Sequence, residues 1–200
     1  MNRALKSLAI FVAFVVIYTL SRHVIHTTTT TTTTTAPHST STSTTAVTTT
    51  TAAGNTCLAS DFSGVYNTGE GAAGTIYASV TLTKSTAGSC TLRGWPILTL
   101  QDRLGGLLTI SPVDVPSAGN TFQFLTPTQA NHAPATLTIP HNGTTNFALA
   151  YSDVAVGTET CDSAVTVSVQ FIKDGATVSL TPSYPVQPCD GGQIWVSPFY

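Results

Sequence analysis

The chain has 200 residues, a formal net charge of −2 and only 8% charged residues. The usual charged share is about a quarter, so no basic patch is present to recruit nucleic acid or an anionic membrane surface. The solvent-facing surface must be built from Thr, Ser, Asn, Gln and Gly. Such a surface suits a glycan-coated exterior, or an acidic medium in which few native ion pairs are lost on protonation.

The first element is apolar. Leu8 to Leu20 (LAIFVAFVVIYTL) follows Arg3 and Lys6. A basic n-region and an apolar h-region are two parts of a signal peptide, but Thr19 to His23 lacks the A-x-A pattern of a cleavage site. A retained signal anchor is therefore preferred to a cleaved signal peptide. Lys6 to Arg22 encloses 15 residues, fewer than the roughly 20 of a full span. Both long side chains can snorkel to the interfaces and make up the difference. Positive charge on both flanks gives only a weak vote for an inside N-terminus. The expectation is one hydrophobic helix within residues 1–26. It would cross the cell membrane once and leave the C-terminal domain extracellular, or be removed from a secreted protein.

Residues 27–56 form the second region. Thr27 to Thr35 is unbroken threonine, and a Thr/Ser/Ala mixture runs on to Thr56. It has almost no large apolar residue and cannot build a core. Ser/Thr-rich tracts with proline read as O-glycosylated stalks. About 30 residues at roughly 3.3 Å each reach at most about 100 Å. Without glycans the tract is still a spacer.

Residues 57–200 have the length of one ordinary domain. All four cysteines lie there: Cys57, Cys90, Cys161 and Cys189. An even count outside the membrane favours two disulfides, with three possible connectivities. Cys57–Cys90 with Cys161–Cys189 is favoured, because each pair brackets a strand or two of one half of the domain. No close C-x-x-C spacing supports a metal site, and no motif asks for a cofactor.

The domain reads as all-β. Thr75 to Thr83 alternates in part and is rich in β-formers. Ile97 to Leu100 follows a Gly94-Trp95-Pro96 corner. Asp102 to Gly106 turns the chain into Leu107 to Ile110. Thr136 to Ile139 leads into the turn Pro140-His-Asn-Gly143. Phe147, Leu149 and Tyr151 alternate with smaller residues. Val165, Val167, Val169 and Phe171 give the cleanest period of two. Asp174-Gly175 then marks a hairpin turn before Val178 and Leu180. Short strands at regular spacing imply an antiparallel sandwich, with a jelly roll or barrel as the structural runner-up.

These residues also resemble a family. Gly71-Ala-Ala-Gly74-Thr75, an apolar strand, Cys90-Thr-Leu-Arg-Gly94-Trp95-Pro96 and Ile97-Leu-Thr-Leu-Gln-Asp102 are similar to a secreted bacterial family of unknown function, DUF4232. Leu137-Thr-Ile-Pro140-His-Asn-Gly143 through Leu149 is similar to its later turn and strand. Cys161, Cys189 and Ser197-Pro198 fit its C-terminal half. Lys84-Ser85-Thr86 stands where that family often has Asn-Thr, and its Pro-Gly is spread into Pro140-His-Asn-Gly143. The resemblance covers about residues 57–200. It implies a secreted, immunoglobulin-like sandwich and supplies no activity.

Catalytic signals are sparse. His23, His26 and His38 lie in the anchor flank or stalk. His132 and His141 lie in turn-rich segments without H-x-H or H-E-x-x-H. A triad needs no sequence proximity, but there is no G-x-S-x-G elbow. Asp61, Glu70, Asp102, Asp114, Asp153, Glu159, Asp162, Asp174 and Asp190 are scattered, mostly beside Gly or Ser, which favours turn formation over a carboxylate pair. No D-x-D-x-D-G loop marks calcium. Trp95 reads as a core plug near Cys90. Trp195, Phe199 and Tyr200 could form an exposed patch for glycan or protein, but packing of a C-terminal strand against the sheet is the commoner arrangement. Asn142-Gly143-Thr144 is an N-glycosylation acceptor pattern in a turn.

Three function classes remain. The first is a non-catalytic, membrane-tethered extracellular module that contacts envelope proteins or glycans. The second is a subunit of a surface layer, pilus or virion. The third is a secreted hydrolase or solute-binding protein. The stalk and the missing catalytic set favour the first.

Overall fold

The computed structural model describes residues 55–173 and 175–200. The expected anchor helix and nearly all of the stalk lie outside them, as does Asp174 of the expected hairpin turn. Among the described residues, no helix is long and apolar enough to cross a membrane.

The described part is mostly β. Ten strands run in chain order: β1 Phe62–Ala72, β2 Thr75–Lys84, β3 Cys90–Leu92, β4 Ile97–Gln101, β5 Ser111–Asp114, β6 Leu137–Ile139, β7 Thr144–Ser152, β8 Thr166–Gln170, β9 Thr177–Leu180 and β10 Gln193–Val196. They form a five-stranded sheet in the order β1-β2-β7-β10-β5, a three-stranded sheet β4-β8-β9 and a two-stranded ribbon β3-β6. All pairings between these strands are antiparallel except β5 with β10, which run parallel. The expectation of a wholly antiparallel arrangement is corrected at that pair. The reason is topological: β5 and β10 are far apart in sequence, so no tight turn fixes their relative direction.

Alternation explains how the sheets meet. In β2, Ala78, Val80 and Leu82 point inward and are buried, while Tyr77, Ser79 and Thr81 point to the other face. In β8, Val167 and Val169 are buried, with Leu98 and Leu100 of β4 and Val178 and Leu180 of β9. These side chains join Phe147, Leu149, Ile194 and Val196 in one core between the two larger sheets. Phe62, Phe171, Phe199 and Phe147 link edge to face through that core, at 5.1, 5.3 and 5.8 Å between successive centroids.

Two disulfides clamp the domain, the first of them inside the main core. Cys57–Cys90 and Cys161–Cys189 are bonded, each with Cα atoms 4.9 Å apart. The first ties the chain leading into β1 to β3. Asn55 and Thr56, assigned to the stalk by composition, extend that tie: Thr91 N–H donates to Asn55 O, and Cys57 N–H donates to Thr91 O, each at 2.9 Å.

Two features differ from the sequence reading. Leu107 to Ile110 makes only an isolated bridge, Leu107 to Gln101. The strand proper begins at Ser111. Trp95 is also not a plug of the main core: it is half-buried, and its indole N–H donates to Val115 O at 3.3 Å.

Candidate functional site

The outer face of the five-stranded sheet carries an aromatic row. Tyr77 of β2 lies opposite Ala150 of β7, Ala150 opposite Trp195 of β10, and Trp195 opposite Val113 of β5. Ala148 and Ala150 are the small residues of β7 on this face, so the row has a trough at its centre. The long connection from Val115 to Thr136 fills it. Phe122 stacks on Trp195 with centroids 4.4 Å apart and planes 3° apart, and on Tyr77 at 6.3 Å and 23°. Phe124 meets Phe122 edge to face at 5.2 Å. Val115, Phe124, Ala130, Ala148 and Ala150 are buried together as a second, smaller core.

Side-chain amides shape this connection. Asn131 Oδ1 accepts from Phe124 N–H at 2.7 Å, and Asn131 Nδ2 donates to Phe124 O at 2.8 Å. That pair of bonds imitates a strand neighbour for Phe124. Asn120 Oδ1 accepts from Phe122 N–H at 2.9 Å. Both phenylalanines are thereby aimed at the sheet.

Beside the covered trough an open groove of about 440 Å³ remains, lined by Gly69, Glu70, Tyr77, Ala78, Ser79, Leu125, Thr126 and Pro127. Its floor is the β1–β2 hairpin and its wall is the Leu125–Pro127 segment. The hairpin bends here, because Gly69 and Glu70 together oppose Tyr77 in a β-bulge. A Cβ on Gly69 would lie 1.6 Å from Tyr77 O, so only glycine fits. Leu125 is exposed at one lip and Glu70 at the other. The groove offers one aromatic ring, apolar walls, a carboxylate and the hydroxyls of Ser79 and Thr126. That set can hold an uncharged, hydroxyl-rich ligand against a ring face.

The structure separates the three aromatics that the sequence grouped. Phe199 is 2% exposed and belongs to the inner core. Trp195 and Tyr200 are half-buried and belong to the outer one. Tyr200 N–H donates to Asn146 O, and Asn146 N–H to Tyr200 O, each at 2.9 Å. Burial raises the Tyr200 phenol above its usual range. Trp195, Phe199 and Tyr200 therefore do not share one surface. Phe122 and Phe124 were missed, although Thr121-Phe-Gln-Phe124 carries a period of two that puts both rings on one side.

Asn142 is exposed at the tip of the β6–β7 turn with φ of 60°. Its backbone N–H donates to Lys84 O at 2.9 Å. His141 Nδ1 lies 3.1 Å from Thr86 O, and His132 is exposed in the long connection. The acids are engaged locally. Asp102 Oδ1 accepts from Leu104 and Gly106 N–H at 2.8 and 2.7 Å. Glu159 accepts from Gly191 and Asp190 N–H at 2.8 and 3.0 Å, and those bonds hold its carboxyl below the usual range. Tyr66 is buried in the inner core with no hydrogen-bond partner for its hydroxyl among the described residues; burial, and then the neighbouring Tyr151, raise its pKa. No group of three or more His, Cys, Asp or Glu side chains that could hold a metal is present among the described residues.

A disulfide-bonded, all-β domain with a hairpin-edge groove is the class that these features define. A family described as "Domain of unknown function (DUF4232)" matches residues 57–200, and the chain belongs to that family. No curated protein and no solved structure matches the chain.

Proposed function

We propose that the protein is a membrane-tethered extracellular binding module, held off the surface by its threonine stalk and without catalysis of its own. The groove beside Tyr77 is its binding site, and a glycan is the ligand class. The observation that carries the site is the juxtaposition of the Tyr77 ring with Glu70, Ser79 and Thr126 around an open, partly apolar volume. A sugar ring can lay its C–H face on the phenol while its hydroxyls bond to the carboxylate and hydroxyls.

The tether rests on Leu8 to Leu20 followed directly by the threonine tract. A module of this kind gains reach past a surface coat and a raised local concentration. An immunoglobulin-like sandwich is the finer fold reading, supported by the five- and three-stranded sheets that share one core. Asn142 carries a glycan in this reading, supported by its exposed turn position.

Glycan-array binding by the full-length protein tests the site. Binding to a defined subset is expected, with loss in Glu70→Gln and Leu125→Ala at unchanged melting temperature, since both residues are exposed. A blank array, or turnover of glycan, peptide or ester substrates, would overturn it. Fractionation tests the tether: the native protein belongs in the membrane fraction with the domain open to external protease. Release of free protein into the medium would refute that half.

A further inference from the structure

The five-stranded sheet ends at β1, and no further strand pairs with the outward edge of β1. Its register with β2 shows which groups are free. Lys84 directs both its N–H and its C=O toward the far side, to Gly143 O and Asn142 N at 2.9 Å each. The Phe62–Lys84 pair of β1 and β2 is therefore the non-hydrogen-bonded kind. Ser85 N–H donating to Asp61 O at 2.8 Å fixes the same phase. Pairs alternate along an antiparallel ladder. Ser63, Val65 and Asn67 thus bond to β2, whereas Phe62, Gly64, Tyr66 and Thr68 turn their N–H and C=O groups outward. Phe62 N–H is taken up by Ala59 O of the preceding 3-10 turn; the outward groups of Gly64, Tyr66 and Thr68 have no partner among the described residues.

Natural edges are usually blunted by lysine, proline, shortness or an early bulge. The opposite edge of this sheet, β5, is four residues long and contains Pro112. The edge β1 has neither lysine nor proline, and its bulge comes only after Thr68. Val65, at the middle of the regular stretch, is 60% exposed.

We infer that β1 is a self-association strand: two copies of this chain pair their β1 edges antiparallel, about a two-fold axis at Val65, and extend the sheet across the dimer. That register sets Phe62 against Thr68 and Gly64 against Tyr66, so Gly64 and Tyr66 exchange both bonds and Thr68 N–H meets Phe62 C=O, the Phe62 N–H staying with Ala59 O. Val65 then meets Val65 of the other copy, and Ser63 meets Asn67. The charges fall clear of each other, because Asp61 lies opposite Gly69 and Glu70 opposite Ser60. A second copy fits better than a foreign strand because this strand matches itself in apolar contact and hydrogen bonding and sets no like charges opposite each other. The inference is independent of the glycan groove, which opens on the sheet face.

Cysteine cross-linking in the full-length protein tests it. In a non-hydrogen-bonded antiparallel pair the Cα atoms lie about 4.5 Å apart, within disulfide range. Val65→Cys should give a covalent dimer on a non-reducing gel, well above Leu104→Cys, which sits 95% exposed in a remote hairpin. Ser63→Cys alone should remain monomeric, while co-expressed Ser63→Cys and Asn67→Cys chains should cross-link. Adding Thr68→Pro, which removes one outward N–H, should abolish the Val65→Cys dimer. Retention of both native disulfides, read by mass, confirms folding in each variant. A folded Val65→Cys protein that stays monomeric would overturn the inference. So would cross-linking as strong at Leu104 as at Val65, which signals random collision, or a Ser63→Cys homodimer, which signals another register.

Discussion

Phe122 lies face to face on Trp195, 4.4 Å between centroids and 3° between planes. One ring comes from a connection without strands, the other from β10. The stack is what joins the long connection to the sheet. Truncating a buried Phe to Ala costs about 3–5 kcal/mol, so this half-buried ring should contribute roughly half of that. Phe122→Ala should therefore lower the unfolding free energy by about 2 kcal/mol. It should also shift tryptophan emission to the red as Trp195 becomes wetter. An unchanged spectrum would mean that the connection is held by Phe124 and Asn131 without the stack.

The contrast with the rest of the chain shows what sequence patterning can carry. Strands β2, β7 and β8 were legible because they are central: one face is always apolar, and the period of two survives. The disulfide pairing was legible because each bond brackets a strand or two of one half of the domain. Strand β1 was not, since Gly64, Gly69 and Gly71 dilute its pattern and its outer half is exposed. Leu107 to Ile110 looked like a strand because Leu108 and Ile110 pack against the core. Regular pairing nevertheless begins one residue later, at a proline-containing edge that the parallel neighbour β10 recruits. The groove was invisible for a related reason. It needs Tyr77, the Gly69 bulge and Pro127 in one place, and no local pattern encodes that meeting.

Gly69 should tolerate no side chain. A methyl group there would sit 1.6 Å from Tyr77 O, far inside any contact distance. The bulge must open or the hairpin must slip. Gly69→Ala should melt several degrees lower and lose groove binding, while Gly88→Ala, with open space around its added Cβ, should cost only its positive-φ strain of about 1–2 kcal/mol. Equal losses in the two variants would show that the bulge is not the constraint.

Ser197 replaces a missing ladder contact. Its N–H donates to Ala148 O at 2.9 Å, and its fully buried Oγ accepts from Ala148 N–H at 2.8 Å. Ser197→Ala strands that amide without an acceptor, which costs about 1–3 kcal/mol. Ser197→Thr keeps the oxygen and should retain more stability than Ser197→Ala in chemical denaturation. Alanine as stable as wild type would remove the oxygen's role.

Glu159 gives the domain a pH signature. Its carboxylate accepts from the N–H groups of Gly191 and Asp190, beside the Cys161–Cys189 bond, and this lowers its pKa below the unfolded value. A depressed carboxyl stabilises the fold above the unfolded pKa, and the contribution disappears as pH falls through the folded one. Burial raises Asp114, which acts in the opposite direction. Wild type should therefore lose only modest stability between neutral and acidic pH. Glu159→Gln should melt below wild type at pH 7, and the two melting temperatures should converge on acidification below the carboxyl range. A gap that persists unchanged in acid would assign the defect to packing at the turn and not to the charge of Glu159.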